Sequence, residues 1–74
     1  MRRYAVVYEK AVANWAAYVP DLPGCITTGS TLEETKCNIR EAILLHLEAM
    51  REVGEPVPPA TSDVDFVELD AVAS

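Results

Sequence analysis

The chain has 74 residues and a mass of 8.1 kDa, which is enough for one compact domain. Hydrophobic residues make up 50% of it and charged residues 24%, which excludes intrinsic disorder, and no run of 18 apolar residues could form a membrane helix. Six basic against twelve acidic residues give a net charge of -6, the wrong sign for binding phosphate backbones. We expect one soluble domain that does not bind DNA or RNA directly.

The N-terminus and the cysteines indicate the compartment. The basic start Met1-Arg2-Arg3 is not followed by the apolar segment of a signal peptide, so the cytoplasm is expected. Cys25 and Cys37 are too few for a disulfide framework and lack the spacing and histidine companions of a zinc site. We expect two reduced thiols.

The first third of the chain has the composition of β-strands. Aromatic and β-branched residues predict strands at about 3–10 and 14–19, and the short segment at about 25–28 predicts a third. Two prolines and Gly24 between the second and third strands indicate a wide turn. Strand composition returns at about 64–69, which predicts a fourth strand.

A helix is predicted at about 31–53. At its start, either Ser30 with Glu33 or Thr31 with Glu34 satisfies the Ser/Thr-x-x-Glu capping box. At its end, Gly54 offers the left-handed conformation of a helix C-terminus, and the prolines at 56, 58 and 59 cannot continue the helix.

Together these elements predict a single α+β domain over residues 1–74 with the order βββαβ. The expected sheet is four-stranded and mixed, with strand order 3-2-1-4, strand 4 parallel to strand 1 through a right-handed crossover, and one helix backing it. Strands 1 and 2 carry apolar residues on both faces, and one helix covers only one face. We therefore expect a second subunit or a partner on the other face.

Residues with catalytic chemistry are sparse. His46 is the single histidine and has no carboxylate one helical turn away to orient it, so a packed histidine is expected. The acidic residues within 63–70 lack the glycine and closing glutamate of a calcium loop. We predict no catalytic residue, no metal and no cofactor. The helix also carries a stripe of glutamates, which is either a solvated face or a docking surface for a basic partner: Glu34, Glu41, Glu48 and Glu52.

Four stretches of the chain form a recognisable motif series: Tyr8-Glu9-Lys10, WAAYVPDLPGC at 15–25, TGSTLEE at 28–34 and NIREAI at 38–43. In this order they resemble the HicB-like antitoxin family over about residues 4–59. The resemblance implies a partial, degenerate ribonuclease-H-like fold and a non-enzymatic role in a type II toxin–antitoxin system. The implied partner is a small basic HicA-like toxin that cleaves messenger RNA. Because the sequence stops at Ser74 without the DNA-binding segment of longer members, operator binding by this chain is not expected.

The family motif residues have an expected structural role: Pro20, Asp21, Pro23, Gly24, Cys25, Gly29, Thr31 and Glu34. For partner binding we predict an aromatic and acidic set on the first hairpin together with three helix residues: Tyr8, Glu9, Trp15, Tyr18, Leu44, Leu45 and Glu48. A homo-dimer or higher oligomer is also expected. The alternatives are a stand-alone oligomeric scaffold or ligand-binding protein without a toxin, and a residual nuclease, for which the sequence does not place metal-binding carboxylates together.

Overall fold

The computed structural model describes residues 2–70 and contains three strands and one helix. They are β1 (Val7–Lys10), β2 (Trp15–Tyr18), β3 (Ile26–Gly29) and α1 (Leu32–Glu52). The strands form an antiparallel sheet in the order β1-β2-β3, so β1 and β3 are its edges within the described residues. The predicted α+β class and the meander followed by a helix are confirmed.

The strand register determines which side chains meet the helix. Tyr8 lies opposite Ala17, which lies opposite Thr27, and Ala17 is fully buried in the core beneath α1. Because side chains alternate along a strand, the neighbouring row Val7, Tyr18 and Ile26 points to the other side of the sheet.

The core is small and lies between the sheet and α1. Its five buried apolar residues are Ala17, Val19, Leu22, Cys25 and Ile39, and Tyr4, Val6, Tyr8, Ala42, Ile43 and Leu47 pack around them. Leu22 belongs to the β2–β3 loop yet is fully buried, so that loop is part of the core. Three backbone hydrogen bonds hold it: Leu22 N–H donates to the Val19 carbonyl (3.1 Å), Cys25 N–H to the Leu22 carbonyl (3.0 Å), and Val19 N–H to the Cys25 carbonyl (3.1 Å).

The helix ends follow the sequence closely. Thr31 is the N-cap, and its hydroxyl accepts from the Glu34 N–H at 3.0 Å while the Glu34 carboxylate accepts from the Ser30 N–H at 2.6 Å. Of the two capping boxes left open by the sequence, the structure therefore uses Thr31 with Glu34. The helix ends at Glu52, Val53 is its C-cap, and Gly54 follows with a positive φ of 75°.

The C-terminal part differs from the predicted topology. Residues 55–70 contain no helix or strand, so the structure forms neither the predicted strand at 64–69 nor the strand order 3-2-1-4, and β1 begins at residue 7 instead of about 3. The physical reason is that a strand needs a neighbouring edge to pair with. The chain ahead of this segment is instead held by the Tyr4 hydroxyl at Pro58 and by Asp21 of the β2–β3 loop at Thr61 and Ser62, and residues 64–69 pair with no strand of the described sheet. Residues 71–74 of the predicted domain lie outside the described residues.

Candidate partner-binding surfaces

The described residues offer three surfaces of particular interest for a partner, and the first is a groove between the free edge of β1 and helix α1. This β1–α1 groove has a volume of about 440 Å³. Its apolar lining comes from Tyr4, Val6, Tyr8, Ile39, Ile43, Leu44 and Leu47, and its basic rim is Arg2, Lys36 and Arg40. Burial raises the pKa of the Tyr8 phenol, which therefore stays neutral at physiological pH.

The second surface is the outer face of the sheet, on the side away from α1. Val7, Tyr18 and Ile26 form a row across its three strands. Ile26 is 64% exposed and Tyr18 is 38% exposed, so this row is accessible in the single chain. Glu9 and Ala16 form the next row on the same face.

The third surface is the solvent face of α1, which carries exposed glutamates. Leu45, 60% exposed, lies three residues before the exposed Glu48 and four after the exposed Glu41. Residues three and four apart are neighbours on a helix surface, so this leucine is an exposed apolar side chain with a carboxylate on the turn before it and another on the turn after it.

The structure does not bring the predicted partner-binding residues into one patch. Tyr8 and Leu44 line the β1–α1 groove. Trp15 is half-buried on the helix side of the sheet, with the Lys10 ammonium 5.9 Å from its ring centre. Glu9 and Tyr18 lie on the outer face. Leu45 and Glu48 lie on the solvent face of α1.

The family motif residues occupy the β2–β3 loop and the helix start. Gly24 adopts a positive φ of 84°, which favours glycine. Gly29 faces the helix so closely that an added Cβ would lie 2.5 Å from the Thr35 hydroxyl oxygen. Cys25 is buried, which raises the pKa of its thiol, so the thiolate is disfavoured. These contacts are with other parts of the fold.

Asp21 has a contact that the sequence did not reveal. Its carboxylate accepts hydrogen bonds from Thr61 N–H (2.9 Å) and hydroxyl (3.3 Å), and from Ser62 N–H (2.8 Å) and hydroxyl (2.6 Å). The Ser62 hydroxyl and N–H are the main causes that lower the pKa of Asp21, since they stabilise its charged form. We call this arrangement the Asp21 clasp.

The basic rim of the β1–α1 groove was also not predicted from the sequence. The signal was present, because Lys36 and Arg40 are two cations spaced i,i+4 on a glutamate-rich helix.

The described residues were searched for metal sites and for helices that could cross a membrane. Within residues 2–70 there is no group of three or more His, Cys, Asp or Glu side chains placed to hold a metal ion. No helix in the same part of the chain has the length and apolar character needed to cross a membrane.

The comparisons with known proteins agree with this architecture. The chain is 42% identical over 64 residues to an uncharacterized 14.9 kDa protein from the rep-hol intergenic region of Haemophilus phage HP1, an alignment that covers 86% of this chain and 48% of that protein. It is 33% identical over 70 residues to Antitoxin HicB 2 of Photorhabdus laumondii, covering 93% of this chain and 50% of that protein. The chain thus spans about half the length of these two relatives.

A solved structure and a family model point the same way. A chain of the HicA3 and HicB3 toxin-antitoxin complex superposes with a TM-score of 0.71 and 33% identity, covering 81% of this chain and 70% of that chain. The model of the HicB-like antitoxins of bacterial toxin–antitoxin systems matches residues 4–71, which is most of the sequence. The chain therefore belongs to the HicB-like antitoxin family.

Proposed function

We propose that the chain is a non-enzymatic antitoxin module that binds and neutralises a small basic HicA-like toxin. The observation that carries this proposal is the structural likeness to a chain of the HicA3 and HicB3 complex, at 33% identity over 81% of this chain. The net charge of -6 supports it, because an acidic protein attracts a basic partner over long distances and accelerates association.

The solvent face of α1 is the proposed toxin-binding surface. Glu41 and Glu48 are exposed there and flank Leu45, so the face combines an apolar contact with negative charge. An interface of this kind has a desolvated centre with charges at its rim. The other predicted contacts are less suited, because Tyr8 and Trp15 are half-buried on the helix side of the sheet and Glu9 lies on its far side.

The first experiment is size exclusion with light scattering, on the chain alone and after mixing with the product of a small basic neighbouring gene. We expect a complex of defined stoichiometry. The double variant Glu41→Lys, Glu48→Lys is expected to raise the Kd about tenfold, since two rim charge pairs together contribute on the order of 1 to 2 kcal/mol.

The matched control is Glu9→Lys, Glu55→Lys, which changes the net charge equally at two exposed positions outside the proposed surface. Its Kd is expected to rise less than about threefold, through long-range charge alone. Equal loss in both variants would show that only net charge matters. A chain that stays a homo-oligomer and ignores the toxin would support the stand-alone scaffold.

We also propose that the outer face joins two copies of the chain. Its row of Val7, Tyr18 and Ile26 is apolar and has no covering element within the described residues. Monomeric proteins rarely leave a large apolar patch open. Ile26→Asp is expected to lower the mass seen by light scattering, whereas Thr28→Asp, at the less apolar end of the same strand, is the control. A wild-type monomer at high concentration would contradict this proposal.

A further inference from the structure

The β1–α1 groove combines an open sheet edge with an apolar floor. One edge of β1 pairs with β2, and the other has no paired strand within the described residues. An open edge presents unpaired backbone N–H and C=O groups, which are a template for another strand. Beside this edge lie Val6, Ile39 and Ile43, and three of the six cations of the chain form the rim: Arg2, Lys36 and Arg40.

The segment Asp63–Asp70, which we call the acidic tail, has the complementary features. It carries four of the twelve carboxylates of the chain, and Phe66 is 87% exposed, Val67 80% and Leu69 83%. Its side chains have strand composition, with Val64 and Phe66 two positions apart and therefore on one face of an extended chain. Within residues 2–70 this apolar, acidic segment pairs with no strand, although the same molecule holds an apolar groove with a basic rim.

Two contacts hold the chain that leads into the tail. The Tyr4 hydroxyl, from the lining of the groove, donates to the Pro58 carbonyl at 2.7 Å, and the Asp21 clasp follows three residues later. The clasp holds Thr61 and Ser62 at the β2–β3 loop, whereas the groove lies beyond β1 on the other side of β2. Strands lie about 4.8 Å apart, so the distance to a position outside β1 is roughly 10–15 Å. At about 3.4 Å per residue, the chain would use three or four residues to cross it. Val64 would lie within that crossing, and Phe66 as well if it takes four residues.

We propose that the acidic tail of one copy adds as a strand to the free edge of β1 in a second copy. In this arrangement Val64 and Phe66 enter the partner's β1–α1 groove, and the tail carboxylates lie near its basic rim. Two copies exchange tails reciprocally about a two-fold axis, as an isologous dimer requires. The fourth strand that the sequence predicts is then supplied by the neighbouring molecule.

Charge-swapped partners test the exchange directly. One variant reverses the groove, Lys36→Glu with Arg40→Glu, and the other reverses the tail, Asp65→Lys with Glu68→Lys and Asp70→Lys. Each variant alone faces like charges and is expected to lose the tail-mediated dimer. The mixture restores opposite charges in both tail–groove pairs, so we expect the light-scattering mass to double on mixing. Both variants keep the outer face unchanged, so association through that face is the same before and after mixing.

Circular dichroism of each variant checks that it is folded before mixing. A further variant of the tail, Phe66→Asp, leaves the groove intact and is expected to lower the dimer fraction. The matched control is Val67→Asp, which changes the opposite face of the tail. A mass that does not change on mixing would overturn the proposal. So would a tail that protects the β1 amides from hydrogen exchange in a monomer, because that result places the strand in its own groove.

Discussion

Asp21 joins two parts of the chain that are forty positions apart. Its carboxylate accepts from Thr61 and Ser62, and these bonds lower its pKa below the ordinary aspartate value of about 4. A group with a lowered pKa in the folded state contributes above its ordinary pKa and loses its contribution as the pH falls through the lowered one. We therefore expect the Asp21 clasp to be complete at neutral pH and to open only in acid, below about pH 4.

The NMR shift of the Ser62 amide proton against pH measures this opening. Its midpoint should lie below the ordinary aspartate pKa, and Asp21→Asn should remove that transition while leaving those of the other carboxylates. A midpoint at or above the ordinary value would show that the clasp does not hold the carboxylate in its charged form.

At Gly29 the sheet lies very close to the helix. A Cβ there would meet the Thr35 hydroxyl oxygen at 2.5 Å and its backbone nitrogen at 2.9 Å. Since the backbone of α1 cannot move without disturbing the core, Gly29→Ala is expected to destabilise the protein by about 1 to 3 kcal/mol. Urea unfolding measures the change, with Thr28→Ala as the neighbouring control, for which less than about 1 kcal/mol is expected. Equal stability of the two variants would contradict the close packing.

The sequence predicts those features of single residues that depend on their immediate neighbours in the chain. Gly24 and the proline pair indicate a turn, and the turn is there with a positive φ at the glycine. The contact between Asp21 and Ser62 joins residues 41 positions apart, and no local sequence pattern predicts it. The same limit applies to the predicted partner-binding set, because Tyr8 and Glu9 are adjacent in sequence yet point to opposite faces of the sheet.

Among the elements, helix α1 was the most predictable. The sequence predicts about 31–53 and the structure has Leu32–Glu52, because caps and periodicity are both local properties. The segment at 64–69 has equally clear strand composition, but a strand forms only where an edge accepts it. The composition therefore predicts that this segment tends to form a strand, but it does not predict which strand edge it would pair with.

The helix start offers a direct test of the capping assignment. Thr31→Ala removes the hydroxyl that accepts from the Glu34 N–H, so we expect a loss of about 1 kcal/mol in the free energy of unfolding. Ser30→Ala is the matched control, because Ser30 contributes its backbone N–H and not its side chain to the cap. Thermal unfolding of both variants compares them. If Ser30→Ala were the more damaging change, the cap would be the other capping box.

The whole molecule has an uneven charge distribution despite its net charge of -6. Half of its six cations rim the β1–α1 groove, which leaves the solvent face of α1 dominated by glutamates. Because salt screens charges over about 10 Å at 0.1 M and about 3 Å at 1 M, the toxin association rate is expected to fall about tenfold between 50 mM and 500 mM salt. The dissociation rate should change less. Stopped-flow measurements separate the two, and an association rate that ignores salt would contradict the acidic docking face.

Inhibition of RNA cleavage tests the antitoxin role most directly. The HicA-like toxin is held at a fixed concentration with an RNA substrate, and the chain is titrated into the reaction. With the toxin far above the Kd, we predict that cleavage falls in proportion to the added chain and stops at a fixed molar ratio, and that the chain alone cleaves no RNA with magnesium. With the toxin far below the Kd, half-inhibition by Glu41→Lys, Glu48→Lys is expected to require about ten times more protein. Unchanged cleavage in the presence of excess chain would contradict the account.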